Sequence, residues 1–113
     1  MTSRERVRNA LDHRQPDRVP VDFGGTFETG IAVSTVYYLR QAYGLGGPDD
    51  RVKVIEPYQM LGEIQNDLRD VMGVDTTALY NTGNAFGFTN SDWKEWTTFD
   101  GAKVLVPGLF NTE

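Results

Sequence analysis

The chain contains no cysteine among its 113 residues. Disulfides and thiolate metal sites are therefore excluded within it. Histidine is almost as scarce. His13 stands alone, which leaves too little imidazole for a transition-metal site. No apolar run approaches the roughly 20 residues that cross a bilayer. The opening MTSRERVRNALDH lacks the continuous apolar region of a signal peptide. Internal repeats and low-complexity stretches are also missing. Basic charge is in short supply, with 11 Lys and Arg against 16 Asp and Glu and a net charge of −5. Only residues 1–20 run the other way: five arginines (4, 6, 8, 14, 18) outnumber Glu5, Asp12 and Asp17. These arginines read as a solvated helix face. The balance predicts neither a nucleic-acid partner nor a membrane partner, and the lack of cysteine fits a cytoplasmic protein.

What remains is the composition of a folded domain, 39% apolar and 24% charged. A chain of this length buries roughly two-thirds of its unfolded surface, enough for one modest core. Ser3 is the expected N-cap of a first helix over about Arg4–His13, with Val7, Ala10 and Leu11 as its apolar stripe. Pro16 ends it. Val19, Val21 and Phe23 alternate with Arg18, Pro20 and Asp22, which predicts an edge strand over 18–23. Ile31–Tyr43 reads as a second helix closed by Gly44. Val52–Ile55 is strand or loop. Leu61, Ile64, Leu68, Val71 and Met72 keep helical spacing up to Gly73, with a break at Gly62. Val74–Tyr80 reads as a further strand, and residues 81–92 as a loop. EWTTF and AKVLV flank Asp100-Gly101, which predicts a hairpin over about 94–107 with a two-residue type I′ turn. That register sets Phe99 against Ala102 and Thr97 against Val104.

Several groups could carry chemistry. Asp22 and Glu28 read either as a carboxylate pair at a strand end or as a solvent-facing residue and a helix starter. Gly24, Gly25 and Thr26 offer backbone N–H groups that could cradle an anion, or they form a plain turn. Asn81, Thr82 and Asn84 follow the second predicted strand and could hold a polar ligand. Tyr80, Trp93, Trp96 and Phe99 could meet a planar ligand or simply pack. The site residues expected to bind a small-molecule substrate are Gly24, Gly25, Thr26, Glu28 and Asn81, with no catalytic or metal-binding residue assigned.

TSRERVRNALDHRQPDRVPVDFGG resembles the opening of the uroporphyrinogen decarboxylase-like superfamily, which includes cobamide-dependent methyltransferase relatives. KVIEPYQMLGEIQNDLRDVMGVD and WTTFDGAKVLVPGLFNTE look like members of the same group, so the resemblance covers essentially the whole chain. It implies an α/β chain forming the N-terminal part of a (β/α)8 barrel with a β-hairpin insertion. Such a barrel typically needs about 250 residues, so it also implies a segment inactive alone that pairs with missing barrel segments or forms a homo-oligomer. Zinc and a corrinoid protein belong to what it implies for a full-length relative. In true decarboxylases an arginine-rich motif holds the porphyrinogen carboxylates. Its position falls on Asp22–Thr29, which has no arginine. The aspartate expected after the second strand falls near Thr82. The resemblance therefore leans toward methyl transfer rather than porphyrinogen decarboxylation. The other reading is a self-sufficient small α/β module that binds a ligand or oligomerises.

Overall fold

The computed structural model describes residues 1–113. Its sheet is built from the chain's most β-branched segments. Val52–Glu56 forms β1 and Lys103–Val106 forms β4, and the two pair in parallel, with Val52 opposite Val104. Lys94–Thr97 forms β3, antiparallel to β4, and Leu61–Gly62 forms β2, antiparallel to β1. The order is β2-β1-β4-β3. Three helices complete the chain: α1 over Ser3–Leu11, α2 over Val33–Ala42 and α3 over Asn66–Met72.

One face of this sheet carries the core. Val52, Val54, Val104 and Val106 meet Val33 and Val36 of α2 and Leu68 of α3, all buried. α2 buries Val33, Val36 and Arg40, spaced three and four residues apart, as one helical stripe requires. β2 approaches α2 so closely that a Cβ on Gly62 would lie 2.8 Å from Val36 Cγ2 and 3.0 Å from the Val33 Cα. The Gly62 break seen in the sequence is thus a strand and its close contact, not a helical kink. Both α2 and α3 end as the sequence predicts, on Gly44 and Gly73. Each ending is a Schellman pair of bonds: Leu45 N–H to Arg40 O with Gly44 N–H to Gln41 O, and Val74 N–H to Arg69 O with Gly73 N–H to Asp70 O.

The expected barrel start is overturned. The chain is a small mixed α/β domain with one four-stranded sheet, and it contains no repeated βα unit. Neither 18–23 nor 74–80 becomes a strand. The two segments do run side by side, joined where Asp75 N–H donates to Val21 O at 2.8 Å. A ladder fails to extend for local reasons. Pro20 has no N–H to give. The Val21 N–H goes to the Asp75 carboxylate instead of a carbonyl. The Asp22 carboxylate accepts from Thr76 Oγ1 at 2.6 Å and from Gly25 N–H at 3.0 Å. Side chains have taken the places that a parallel ladder needs. The molecule is correspondingly open. Its extents are 51 × 33 × 19 Å, and its radius of gyration of 15.6 Å exceeds the ~13 Å of a compact chain this long.

The hairpin is present, but its register is shifted by one residue. Trp96, not Thr97, faces Val104, and Thr97 faces Lys103. Thr98 N–H donates to Ala102 O, and Gly101 sits at φ 88°. The loop is therefore Phe99-Asp100-Gly101, three residues with glycine in the left-handed position. A one-residue slip moves every side chain to the other face. It turns Trp96 toward the core side and leaves Phe99 wholly exposed.

α1 is docked differently. Thr2, one residue before the expected cap, accepts from Glu5 N–H, and the Glu5 carboxylate returns to Thr2 N–H, completing a capping box. Ser3 is freed for another partner, Asp75. The stripe expected to face a core does not: Leu11 is 75% exposed.

Candidate functional site

Of the residues expected to bind a substrate, Gly25, Thr26, Glu28 and Asn81 line one shallow cleft. Gly25, Thr26, Phe27 and Glu28 form one wall, and Leu79, Tyr80 and Asn81 form the other, enclosing about 180 Å³. The adjacency of 18–23 and 73–76 creates it, because the chain leaves both segments in the same direction. Tyr80 anchors the floor. Its hydroxyl donates to Gly24 O at 3.4 Å, and its ring lies nearly parallel to Phe27 with centroids 6.5 Å apart. Burial raises the Tyr80 pKa, and the nearby Glu63 charge pushes the same way.

Gly24 is buried beneath the cleft rather than in its lining. Its N–H donates to Thr29 O at 2.9 Å. The Gly25 N–H is used by Asp22 and the Thr26 N–H by Thr29 Oγ1. All three candidate anion donors are therefore spent inside the loop, and the cradle reading is lost. Asp22 Oδ1 accepts from both Gly25 N–H and Thr76 Oγ1, and Asp22 does not line the cleft beside Glu28. Glu28 is exposed on the cleft wall and is the only charged side chain lining it. Asn81 lines the opposite wall. Asn84 turns away, bonding Asn90 and Phe86 N–H, while Asn90 Nδ2 reaches Ile55 O and ties this loop to β1.

The aromatic group splits in three. Tyr80 joins Phe27, whereas Trp96 packs with Phe99 and Phe110 at 6.3 and 5.9 Å. Lys53 Nζ sits 5.0 Å from the Trp93 ring centre, a cation–π contact. Phe27 and Leu79 were not among the sequence candidates. The available signal was an aromatic residue inside a glycine-rich loop, with no strand or helix periodicity to bury it.

Two charged clusters that the sequence did not reveal are structural. The Asp75 side chain, 0% exposed, accepts from Ser3 Oγ, Arg6 Nη1, Arg18 Nη1 and Val21 N–H at 2.6–2.9 Å. Burial alone would raise its pKa. The Val21 N–H, Ser3 and the two arginines outweigh that and hold it well below the usual carboxylate range. Arg6 also bonds Asp17, whose pKa is lowered to about 2, chiefly by that bond. In the second cluster, buried Arg40 grips Asp67 at 2.7 Å and Asp50 at 2.8 Å, joining α2 to α3 and to the 44–50 loop.

No group of three or more His, Cys, Asp or Glu side chains is placed to hold a metal ion. The zinc implied for a full-length relative finds no ligand set in this chain, which has no cysteine and only His13, exposed just past the end of α1. No helix is long and apolar enough to cross a membrane. Comparison with protein-family models, with curated proteins and with solved structures finds no match to this chain.

Proposed function

We propose that this chain is a small ligand-binding element, and that the cleft between Gly25–Glu28 and Leu79–Asn81 takes a small polar molecule with a planar portion. The observation that carries this reading is the lining itself: two near-parallel aromatic rings, one carboxylate, one amide and no cationic side chain. Ring faces offer a planar group a stacking surface. Glu28 favours a neutral or cationic ligand and disfavours a polycarboxylate. The reaction of a porphyrinogen decarboxylase is accordingly not part of the proposal. In this reading the protein works in the cytoplasm. Nicotinamide, tetramethylammonium and acetate titrated into isotopically labelled protein test it by NMR. Shifts at Phe27, Glu28, Tyr80 and Asn81 with the first two, and none with acetate, are expected. No shift at these residues with any probe overturns the reading.

A second reading treats the cleft as one wall of a larger enzyme site, in a uroporphyrinogen decarboxylase-like protein of the methyl-transferring kind. Two facts favour it. The cleft is smaller than the roughly 300–1,000 Å³ of most ligand pockets. The segments on either side of it run together and deliver their ends to one place. Expressing the chain with the coding sequence that follows Glu113 tests it. A gain in thermal stability together with methyl transfer to a thiol supports it, and no gain in either overturns it.

A further inference from the structure

The two edges of the sheet are treated in opposite ways. The β2 edge is closed by the segment leading into α2: Gly62 N–H donates to Ile31 O at 3.1 Å, Val33 N–H donates to Met60 O at 2.7 Å, and Ala32 bridges Leu61. The β3 edge has no such cover. Bonding alternates along an antiparallel strand. Thr98 N–H closes the hairpin on Ala102 O, so Trp96 and Lys94 turn their main-chain groups toward β4. Glu95 and Thr97 turn theirs outward. Beside this edge lies an apolar groove of about 490 Å³, lined by Val33, Met60, Trp96, Phe99 and Phe110 among others. Phe99 stands at its rim, fully exposed. A bare edge next to an open groove is a pairing surface.

We propose that the β3 edge and this groove are covered by a second copy of the chain, paired antiparallel through β3 about a two-fold axis at Trp96. Symmetry and charge select that register. A two-fold perpendicular to a sheet sets a residue opposite itself. With the axis at Glu95, the two exposed carboxylates meet directly, and the Arg51 guanidinium 3.5 Å from each offsets that repulsion only in part. With the axis at Thr97, one pair of outward groups is matched and Glu95 must pair into the turn at Phe99. With the axis at Trp96, Glu95 lies opposite Thr97 of the second copy and Thr97 opposite its Glu95. All outward N–H and C=O groups of both residues are then used. Lys94 meets Thr98, so no like charges oppose. Trp96 lies beside its own symmetry mate on the groove side, and Phe99 is brought level with Trp93 of the second copy. Four residues of edge are a small interface. Total areas under about 1,200 Å² belong to weak complexes, so the dissociation constant is expected on the order of tens of micromolar.

Sedimentation velocity on the full chain from about 5 µM to 1 mM tests this, and a concentration-dependent monomer–dimer shift is expected. Thr97→Pro removes an outward N–H that the protomer does not use and is expected to leave a monomer with an unchanged circular dichroism spectrum. Phe99→Ser, at a fully exposed site, is expected to weaken dimerisation about tenfold without unfolding the chain. The cysteine-free sequence allows the register to be read directly. Glu95→Cys and Thr97→Cys chains should form a mixed disulfide with each other when combined and oxidised, and little with themselves. A wild-type monomer across the whole range overturns the proposal. So does a folded Thr97→Pro chain that still dimerises, or self-cross-linking of Glu95→Cys in preference to the mixed pair.

Discussion

α2, α3 and the sheet meet chiefly through valines and one leucine with almost no exposed surface, whereas α1 meets the rest of the chain through Ser3 and Arg6 on a buried aspartate. The apolar contact is non-directional and proportional to area. It tolerates small shifts and depends little on pH. The ionic dock is directional. Asp75 must accept from four groups at once, and each removed partner leaves a charge or a donor unpaired. One half of the molecule is therefore held chiefly by water exclusion, with the buried Arg40 pairs to Asp67 and Asp50 beside it, and the other by a single polar hub.

Four experiments sharpen this contrast. The largest effect is expected from Leu68→Ala, which opens a cavity under the sheet. The loss is about 2–5 kcal/mol, read as a fall in Tm of about 10 °C or more. Next is acid. Asp17 and Asp75 have folded pKa values below the ordinary ~3.9. Their stabilising contribution is complete above about pH 4 and is lost as pH falls toward the Asp17 value of about 2. Asp67 in the Arg40 cluster is shifted in the same direction, first by its bond to Arg40. Amide protection in α1, measured relative to the intrinsic exchange rate at each pH, should fall between about pH 4 and 2 while Val104 and Val106 remain protected. Asp75→Asn should produce the same release of α1 at pH 7, with exchange about tenfold faster or more. If α1 and the sheet lose protection together, the halves are one cooperative unit and the contrast fails. The smallest effect is expected from Leu11→Ser. At 75% exposure it should change stability by less than about 0.5 kcal/mol. A larger loss in a urea titration would show that the α1 stripe is covered in solution.

Much of the local structure was legible from residue patterns. The valine-rich run before Pro107 marks β4, the spacing of Val33 and Val36 marks α2, and Gly44 and Gly73 mark helix ends, while the run at Val52–Ile55 left strand and loop open. Each rests on local sterics or periodicity. The failures share a different cause. Thr2 and Ser3 are equally good caps by type, and Asp75, distant in sequence, decided between them by claiming Ser3. The alternation at 18–23 is real, but Asp75 and Thr76 supply side-chain partners where a strand would need backbone ones. The hairpin slipped because Asp-Gly fits both a two-residue turn and the end of a three-residue loop.

The candidate cleft divides along the same line. Glu28, Asn81 and the glycines were visible as polar and flexible residue types at the ends of extended segments. The Gly24, Gly25 and Thr26 N–H groups are occupied by Thr29 and Asp22 within the same loop, whereas the stacking of Phe27 near Tyr80 depends on how residues over 50 positions apart come together. The sequence by itself determined composition class, helix ends and the presence of a hairpin, because these follow from torsional preferences and from burial periodicity over a few neighbouring residues. The tertiary structure alone decided that Asp75 is a bound structural carboxylate and that Asp22 is tied to Thr76, because those hydrogen-bond partners are allotted only when distant segments meet.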